Sequence, residues 1–160
     1  ISCITGPEFS LPTTFTISFN ASFSFLSIVI VCIESPTGTT ATVSGGSGTG
    51  AAIASYGLQF VGYPYVSGGN SLTNGTDCSG FVNLIHAHFG ISTPRQSGAL
   101  AGAGRAVSDA DKLPGDVVCY YGHVGIYIGN NQIVHASTAK TGIKVSNMYY
   151  RSISCIRRYW

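Results

Sequence analysis

Apolar positions along this chain fall at helical spacing up to about Phe89 and in short strand-like runs after Asp116. Between Ala51 and Val61 they fall at Ile53, Tyr56, Phe60 and Val61, which predicts a short helix. Gly62-Tyr63-Pro64-Tyr65 breaks that pattern and opens a loop that runs through Gly68-Gly69-Asn70 to Gly75. A second helical stretch spans Cys78 to Phe89, with Thr76 or Asp77 to cap it and Gly90 to end it. On it Phe81, Leu84, Ile85 and His88 share one face, and Cys78, Val82, Ile85 and Phe89 an adjoining one. So little of it is polar that it predicts a buried central helix. After Leu113-Pro114-Gly115-Asp116 come short apolar runs. Strands are expected at Val117–Tyr121, His123–Ile128 and Gln132–Ser137, with two more near Ile143–Val145 and Ile153–Tyr159. Gly129-Asn130-Asn131 supplies a hairpin turn that tolerates positive φ. Helices first and antiparallel strands later make an α+β pattern, with the central helix packed on the sheet.

The first fifty residues follow neither pattern. Phe9 to Ile33 carries no charge and Phe23 to Ile33 is mostly apolar, shorter than the ~20 residues that span a bilayer. A signal peptide would want a basic start, which is missing. Residues 1–36 therefore read either as an apolar leader or as one or two extra strands. Residues 37–50 have the composition of a Gly/Ser/Thr linker, and residues 51–160 form the compact domain.

Composition narrows the class. Only 9% of residues are charged, against roughly a quarter in an average soluble domain. With 21 glycines and abundant Tyr and Phe, this is a strand-rich, secreted-style composition, and a secreted location is expected. Charge is uneven: Glu8 and Glu34 are the only charges before Asp77, and Lys140, Lys144, Arg151, Arg157 and Arg158 cluster at the end. That cluster suits an acidic polymer, or is simply a solvated strand and loop. No aromatic-basic or helix-turn-helix pattern points to nucleic acid. The five cysteines, Cys3, Cys32, Cys78, Cys119 and Cys155, are widely spaced with no C-x-x-C pair. They support neither a zinc site nor a disulfide framework. Cys119 and Cys155 read as small apolar strand residues; a bridge would need neighbouring strands and is not expected. His86 and His88 sit two apart, which is no helical metal pair. His88 is expected to pack and His86 to lie at the rim. No metal or cofactor is called for, and the domain is expected to be a monomer.

One cysteine stands apart. Cys78 begins the central helix, where free N–H groups and the macrodipole favour a thiolate. Pairing Ile128 with Gln132 in the hairpin sets Tyr127 opposite Ile133, Ile126 opposite Val134 and Gly125 opposite His135. His123 then shares the face of Gly125, and the two histidines become diagonal neighbours, roughly 7–8 Å apart at the backbone. Gly125 leaves room for His135 to lean toward His123. Cysteine first and histidines later, on separate elements, is the order of a papain-like thiol enzyme. Cys78 would attack a carbonyl, His123 would act as base and acid, and His135 would orient it. The N–H of Cys78 or Ser79 would serve the oxyanion.

Six strings, in order, resemble the NlpC/P60 family of papain-like cell-wall endopeptidases. They are Gly62-Tyr63-Pro64-Tyr65 with Gly68-Gly69, Thr76-Asp77-Cys78-Ser79-Gly80-Phe81-Val82, Pro94-Arg95-Gln96-Ser97, Leu113-Pro114-Gly115-Asp116-Val117-Val118, Gly122-His123-Val124-Gly125-Ile126-Tyr127-Ile128-Gly129, and Ile133-Val134-His135-Ala136-Ser137. The resemblance implies a Cys78–His123–His135 triad and hydrolysis of peptidoglycan stem peptides between D-γ-glutamate and diaminopimelate or lysine. It also implies that Tyr65, Asp77 and Ser79 grip the amino end of the substrate. An Asp beside a tyrosyl hydroxyl can bind an ammonium, and Asp77 also serves as a plain helix cap. Arg95 and Ser97 match the family's Arg-x-Ser; Arg95 either pairs a substrate carboxylate or ties its loop to the core. The implied partner is peptidoglycan or a muropeptide, with association to the wall. Two features depart from the family: the first fifty residues match no SH3-like wall-binding domain, and Cys119 stands where an aromatic is common. An amidase cutting the muramoyl–L-Ala bond and a non-catalytic wall-binding module are the alternatives.

Overall fold

The computed structural model describes residues 42–45 and 48–160. The apolar leader or strands expected over 1–36, with Cys3 and Cys32, and most of the 37–50 linker lie outside the described residues. Helix α1 is Thr49–Leu58, α2 is Cys78–His88 and α3 is Ser97–Gly102. A small ribbon, β1 (Asn70–Ser71) with β2 (Gly75–Thr76), immediately precedes α2. The main sheet contains β3 (Arg105–Val107), β4 (Val117–Tyr120), β5 (His123–Gly129), β6 (Gln132–Thr138), β7 (Gly142–Asn147) and β8 (Ile153–Arg158). Its strands run in the order β3-β8-β4-β5-β6-β7, and every pairing is antiparallel.

The sheet separates two apolar layers. On one side Phe81, Val82 and Ile85 of α2 and Ile53 of α1 meet Val124, Ile126, Ile128 and Val134, all fully buried. On the other, Val118, Tyr120, Tyr127 and Ile133 pack with Met148 and Ile156. Because all seven residues of β5 are buried, this strand is the spine of the domain. Side chains of period two therefore divide between the layers, which puts His123, Gly125 and Tyr127 on the face away from Val124 and Ile126.

The expected strands are present with ends shifted by a residue or two. The hairpin register differs at one point. Ile126 faces Val134 and Tyr127 faces Ile133 as expected, but Gly129, not Ile128, faces Gln132. Ile128 is a bulge residue, and its carbonyl takes the N–H of Ser44 at 3.0 Å. Asn130 and Asn131 turn the chain at φ 50° and 56°. The short elements α3, β3 and the β1–β2 ribbon were not expected.

The two helix histidines exchange their expected places. His86 is fully buried and donates from Nδ1 to the Val82 carbonyl at 2.8 Å. His88 is exposed and stacks on Tyr56, with ring centroids 3.9 Å apart. The buried stripe of α2 runs through Phe81, Val82, Ile85 and His86, so the helix is rotated relative to the expected phase.

Charge at the C-terminal end is also not wholly solvated. Arg158 is buried against Asp116, which is fully inaccessible; Nε and Nη2 meet the two carboxylate oxygens at 2.5 and 2.6 Å. Asp116 also accepts the Leu113 N–H at 2.8 Å, so one side chain closes the Leu113–Asp116 turn and neutralises β8. Cys119 and Cys155 face each other across β4 and β8 as free thiols. Burial and then the neighbouring Cys155 push Cys119 up to about 12. Such a thiol is protonated and inert at neutral pH.

Candidate active site

Cys78 occupies the first turn of α2 because Asp77 caps it. The Asp77 backbone is extended, and its Oδ1 accepts the Gly80 N–H at 2.7 Å. The same carboxylate organises the surrounding loops. Oδ1 also takes the Ser79 hydroxyl at 3.1 Å and Arg95 Nη1 at 2.7 Å, while Oδ2 takes the Gly68 N–H at 2.9 Å. Arg95 Nη2 continues to the Gly69 carbonyl at 2.7 Å. Burial works to raise the Asp77 carboxyl, but Arg95 and the Gly80 and Gly68 N–H groups outweigh it and hold it below its ordinary value. Gly80 is needed for this packing: a Cβ there would lie 2.4 Å from Thr76 Oγ1 and 2.6 Å from Arg95 Nη2. Arg95 thus ties its loop to the helix cap. Ser97 opens α3 nearby and takes no part in these bonds among the described residues. Tyr65 bridges to Thr76; burial, then the proximity of Cys78 and Asp77, raises its hydroxyl.

The sulfur of Cys78 lies near the start of β5, and the N–H groups of Val124 and Ser79 favour its thiolate. Burial nevertheless dominates and pushes the thiol up. The resting helix-start cysteine is therefore a buried thiol, and the helix terminus only moderates the cost of ionising it.

His123 precedes Val124, so the strand that donates to the sulfur also carries the imidazole. Its Nε2 lies 2.7 Å from Nδ1 of His135, with the two rings near perpendicular. The diagonal expected from the sequence is formed in space, and Gly125 permits it. A Cβ at Gly125 would come within 3.1 Å of the His135 Cβ and 2.8 Å of Ile133 Cδ1. One further group was not anticipated: Ser146 Oγ on β7 lies 2.9 Å from His135 Nε2. The β6–β7 register sets His135 opposite Lys144, which makes Ser146 its diagonal neighbour. Tyr120 and Tyr150 pack against the pair, with centroids 6.1 Å from His123 and 5.6 Å from His135 respectively.

Both imidazoles are held neutral. Burial, and then Arg151, lowers His123 to about 4. Burial, then His123, Lys144 and Arg151, lowers His135 to about 3. Lowered histidine values favour the native state above the ordinary imidazole pKa of 6.5, and that contribution is lost as pH falls from there through about 4. The urea midpoint should be flat above this window and fall within it, and His123 alone accounts for about 3 kcal/mol by the bottom. A midpoint unchanged down to the carboxylate range would contradict the burial of neutral imidazoles.

An open depression of about 500 Å³ lies elsewhere, lined by Val107, Asp109, Tyr149, Arg151 and Cys155 among others. It includes none of Cys78, His123 and His135. Chemistry rather than concavity locates the candidate site.

A cysteine at a helix start, near the strand that carries one of two hydrogen-bonded histidines, occurs on several folds. A model of the NlpC/P60 family matches residues 62–156. The chain belongs to the NlpC/P60 family. Its fold is papain-like α+β, with the cysteine-bearing helix packed on the antiparallel sheet. A probable endopeptidase of Mycobacterium tuberculosis is 40% identical over 107 residues, which cover 65% of this chain and 28% of that protein. The murein DD-endopeptidase/LD-carboxypeptidase MepS of Escherichia coli is 43% identical over 86 residues, covering 50% of this chain and 45% of that one. The peptidoglycan hydrolase RipB of M. tuberculosis superposes with a TM-score of 0.59 at 30% identity, over 71% of this chain and 72% of its own. The chain thus spans less than half the length of these two sequence relatives. Among the described residues no helix is long and apolar enough to cross a membrane.

Proposed function

We propose that this domain is a cysteine endopeptidase that hydrolyses peptidoglycan stem peptides, at the bond between D-γ-glutamate and diaminopimelate or lysine. The observation that carries the reading is the convergence of the Cys78 sulfur, the start of β5 and the 2.7 Å His123–His135 contact. His123 takes the thiol proton as sulfur attacks the scissile carbonyl, then returns it to the leaving amine. Because burial keeps His123 unprotonated at neutral pH, it is available as a base, and proton transfer is coupled to attack rather than complete beforehand. His135 holds the ring of His123 and disperses the charge that it acquires. The N–H of Cys78 or Ser79 supports the oxyanion. A domain acting on wall peptide would work outside the cytoplasm, as a monomer associated with the wall.

Tyr65, Asp77 and Ser79 line the approach to the sulfur and form the subsite for the amino end of the stem peptide. Arg95 already neutralises Asp77, so an ammonium would share that carboxylate rather than find it free. Arg95 and Ser97 shape the wall of the subsite.

Digestion of purified peptidoglycan followed by mass spectrometry tests the reading. New D-glutamyl carboxyl and diaminopimelyl or lysyl amino ends are expected. Free muramoyl carboxyls with new L-Ala amines would instead identify an amidase, and an unchanged digest would point to a binding module. Gly125→Ala gives a finer check. The added methyl must displace His135 by a few tenths of an ångström and press on buried Ile133, so turnover should fall by about tenfold with a modest drop in melting temperature. Undiminished turnover would mean that the His123–His135 spacing is not critical.

A further inference from the structure

We propose that Ser146 is a positioning residue: it accepts the Nε2 proton of His135 and so holds both imidazoles in the tautomers that leave His123 Nδ1 bare toward Cys78. This inference rests on the assignment of Cys78, His123 and His135 as the reacting group.

Two neutral imidazoles joined through one N···N contact share a single proton there. The 2.7 Å contact between His123 Nε2 and His135 Nδ1 therefore has two arrangements. In the first, His123 Nε2–H donates, His135 Nδ1 accepts, and the remaining proton of His135 lies on Nε2. In the second, His135 Nδ1–H donates, its Nε2 is bare, and His123 is protonated on Nδ1. Only the first leaves His123 a lone pair for the thiol proton.

The groups around the sulfur favour the first arrangement. The N–H groups of Val124 and Ser79 already favour negative charge on it. A further donor from His123 Nδ1–H would add to them and leave the thiol hydrogen without an acceptor. A bare Nδ1 supplies one. The proton this places on His135 Nε2 then needs an acceptor of its own, and Ser146 Oγ stands 2.9 Å away.

Among the described residues, none of the groups packed on His135 is a carboxylate. They are His123 on β5, Lys144 beside it on β7, and Tyr150 and Arg151 after it. A carboxylate would force one direction because it can only accept. A hydroxyl accepts from His135 while its own hydrogen turns to solvent from the half-buried β7 edge. When His123 becomes imidazolium, both bonds of the chain strengthen in the same sense.

Long-range ¹H–¹⁵N correlation spectra of the full chain labelled in histidine read the tautomers directly at neutral pH. The expected state is His123 protonated on Nε2 and His135 on Nε2. In Ser146→Ala, His135 should move to a mixed tautomer and kcat on a stem peptide should fall about tenfold with KM little changed. Ser146→Thr, which keeps the hydroxyl, should restore both readouts. His123 protonated on Nδ1 in the wild type, tautomers unmoved in Ser146→Ala, or a threonine variant no better than alanine would each overturn the proposal. The spectra need no turnover. A wild type with the expected tautomers, perturbed by alanine, but without hydrolysis would sustain the role of Ser146 in fixing the pair and refute the hydrolase reading alone.

Discussion

Cys78→Ala should lower hydrolysis of peptidoglycan stem peptides by about 10⁴-fold or more, with the melting temperature essentially unchanged. Removing the sulfur removes the proposed nucleophile, and neither imidazole can replace it. The loss should fall on kcat, since Tyr65, Asp77 and Ser79 remain to hold the substrate. Cys119→Ala and Cys155→Ala should retain activity, because these thiols face each other across β4 and β8, and Cys119, paired with Val124, lies on the face of the sheet opposite to His123. The same contrast should appear in alkylation. The N–H groups of Val124 and Ser79 favour the Cys78 thiolate, whereas Cys119 is fully buried and pushed up to about 12. Iodoacetamide should therefore label Cys78 in preference to Cys119. Full activity in Cys78→Ala would sink the cysteine mechanism, and equal loss in Cys119→Ala would show that the wrong thiol had been chosen.

Asp116→Ala should destabilise the domain by about 3–5 kcal/mol in urea at neutral pH. The mutation leaves the Arg158 guanidinium buried with its Nε and one Nη2 bond gone, keeping Nη2 to the Asp111 carbonyl at 3.1 Å and the face of Trp160 at 4.7 Å. It also strips the Leu113 N–H of its acceptor. The large effect comes from an unpaired buried charge, not from a strong native bond. Asp116→Ala combined with Arg158→Met should accordingly recover part of the loss, since the methionine fills the space without the charge. A loss of less than about 1 kcal/mol in the single variant would mean that water reaches the guanidinium once the carboxylate is gone.

The elements were legible where the chain carried apolar runs set off by turn residues. Val117 to Ser137 is a series of short apolar runs with a turn that tolerates positive φ, so three strands and the diagonal of His123 with His135 could be read directly. Cys78 was legible because a cap, a helix start and a thiol stand together in three residues. Short or distant features gave no such signal. The three residues of β3 become a strand only by pairing with β8, some fifty positions later. The bulge at Ile128 depends on Ser44, which takes the carbonyl that would otherwise extend the hairpin. His86 and His88 differ by 200° around the same helix, and local apolarity alone could not tell which faces the sheet.

What the sequence by itself determined is the chemistry: a capped cysteine, two histidines of one face, a glycine between them, and an α+β order of elements. These are fixed by local period and by residue type, which act over a few positions. Tertiary structure alone decided the partners of that chemistry. It set Ser146 on His135, Arg95 on Asp77 and Arg158 on Asp116, across separations that carry no sequence period. It also decided that Cys78 is a buried thiol rather than a free thiolate. The energy of a charge or a proton depends on everything packed around it, and only the folded chain specifies that surrounding.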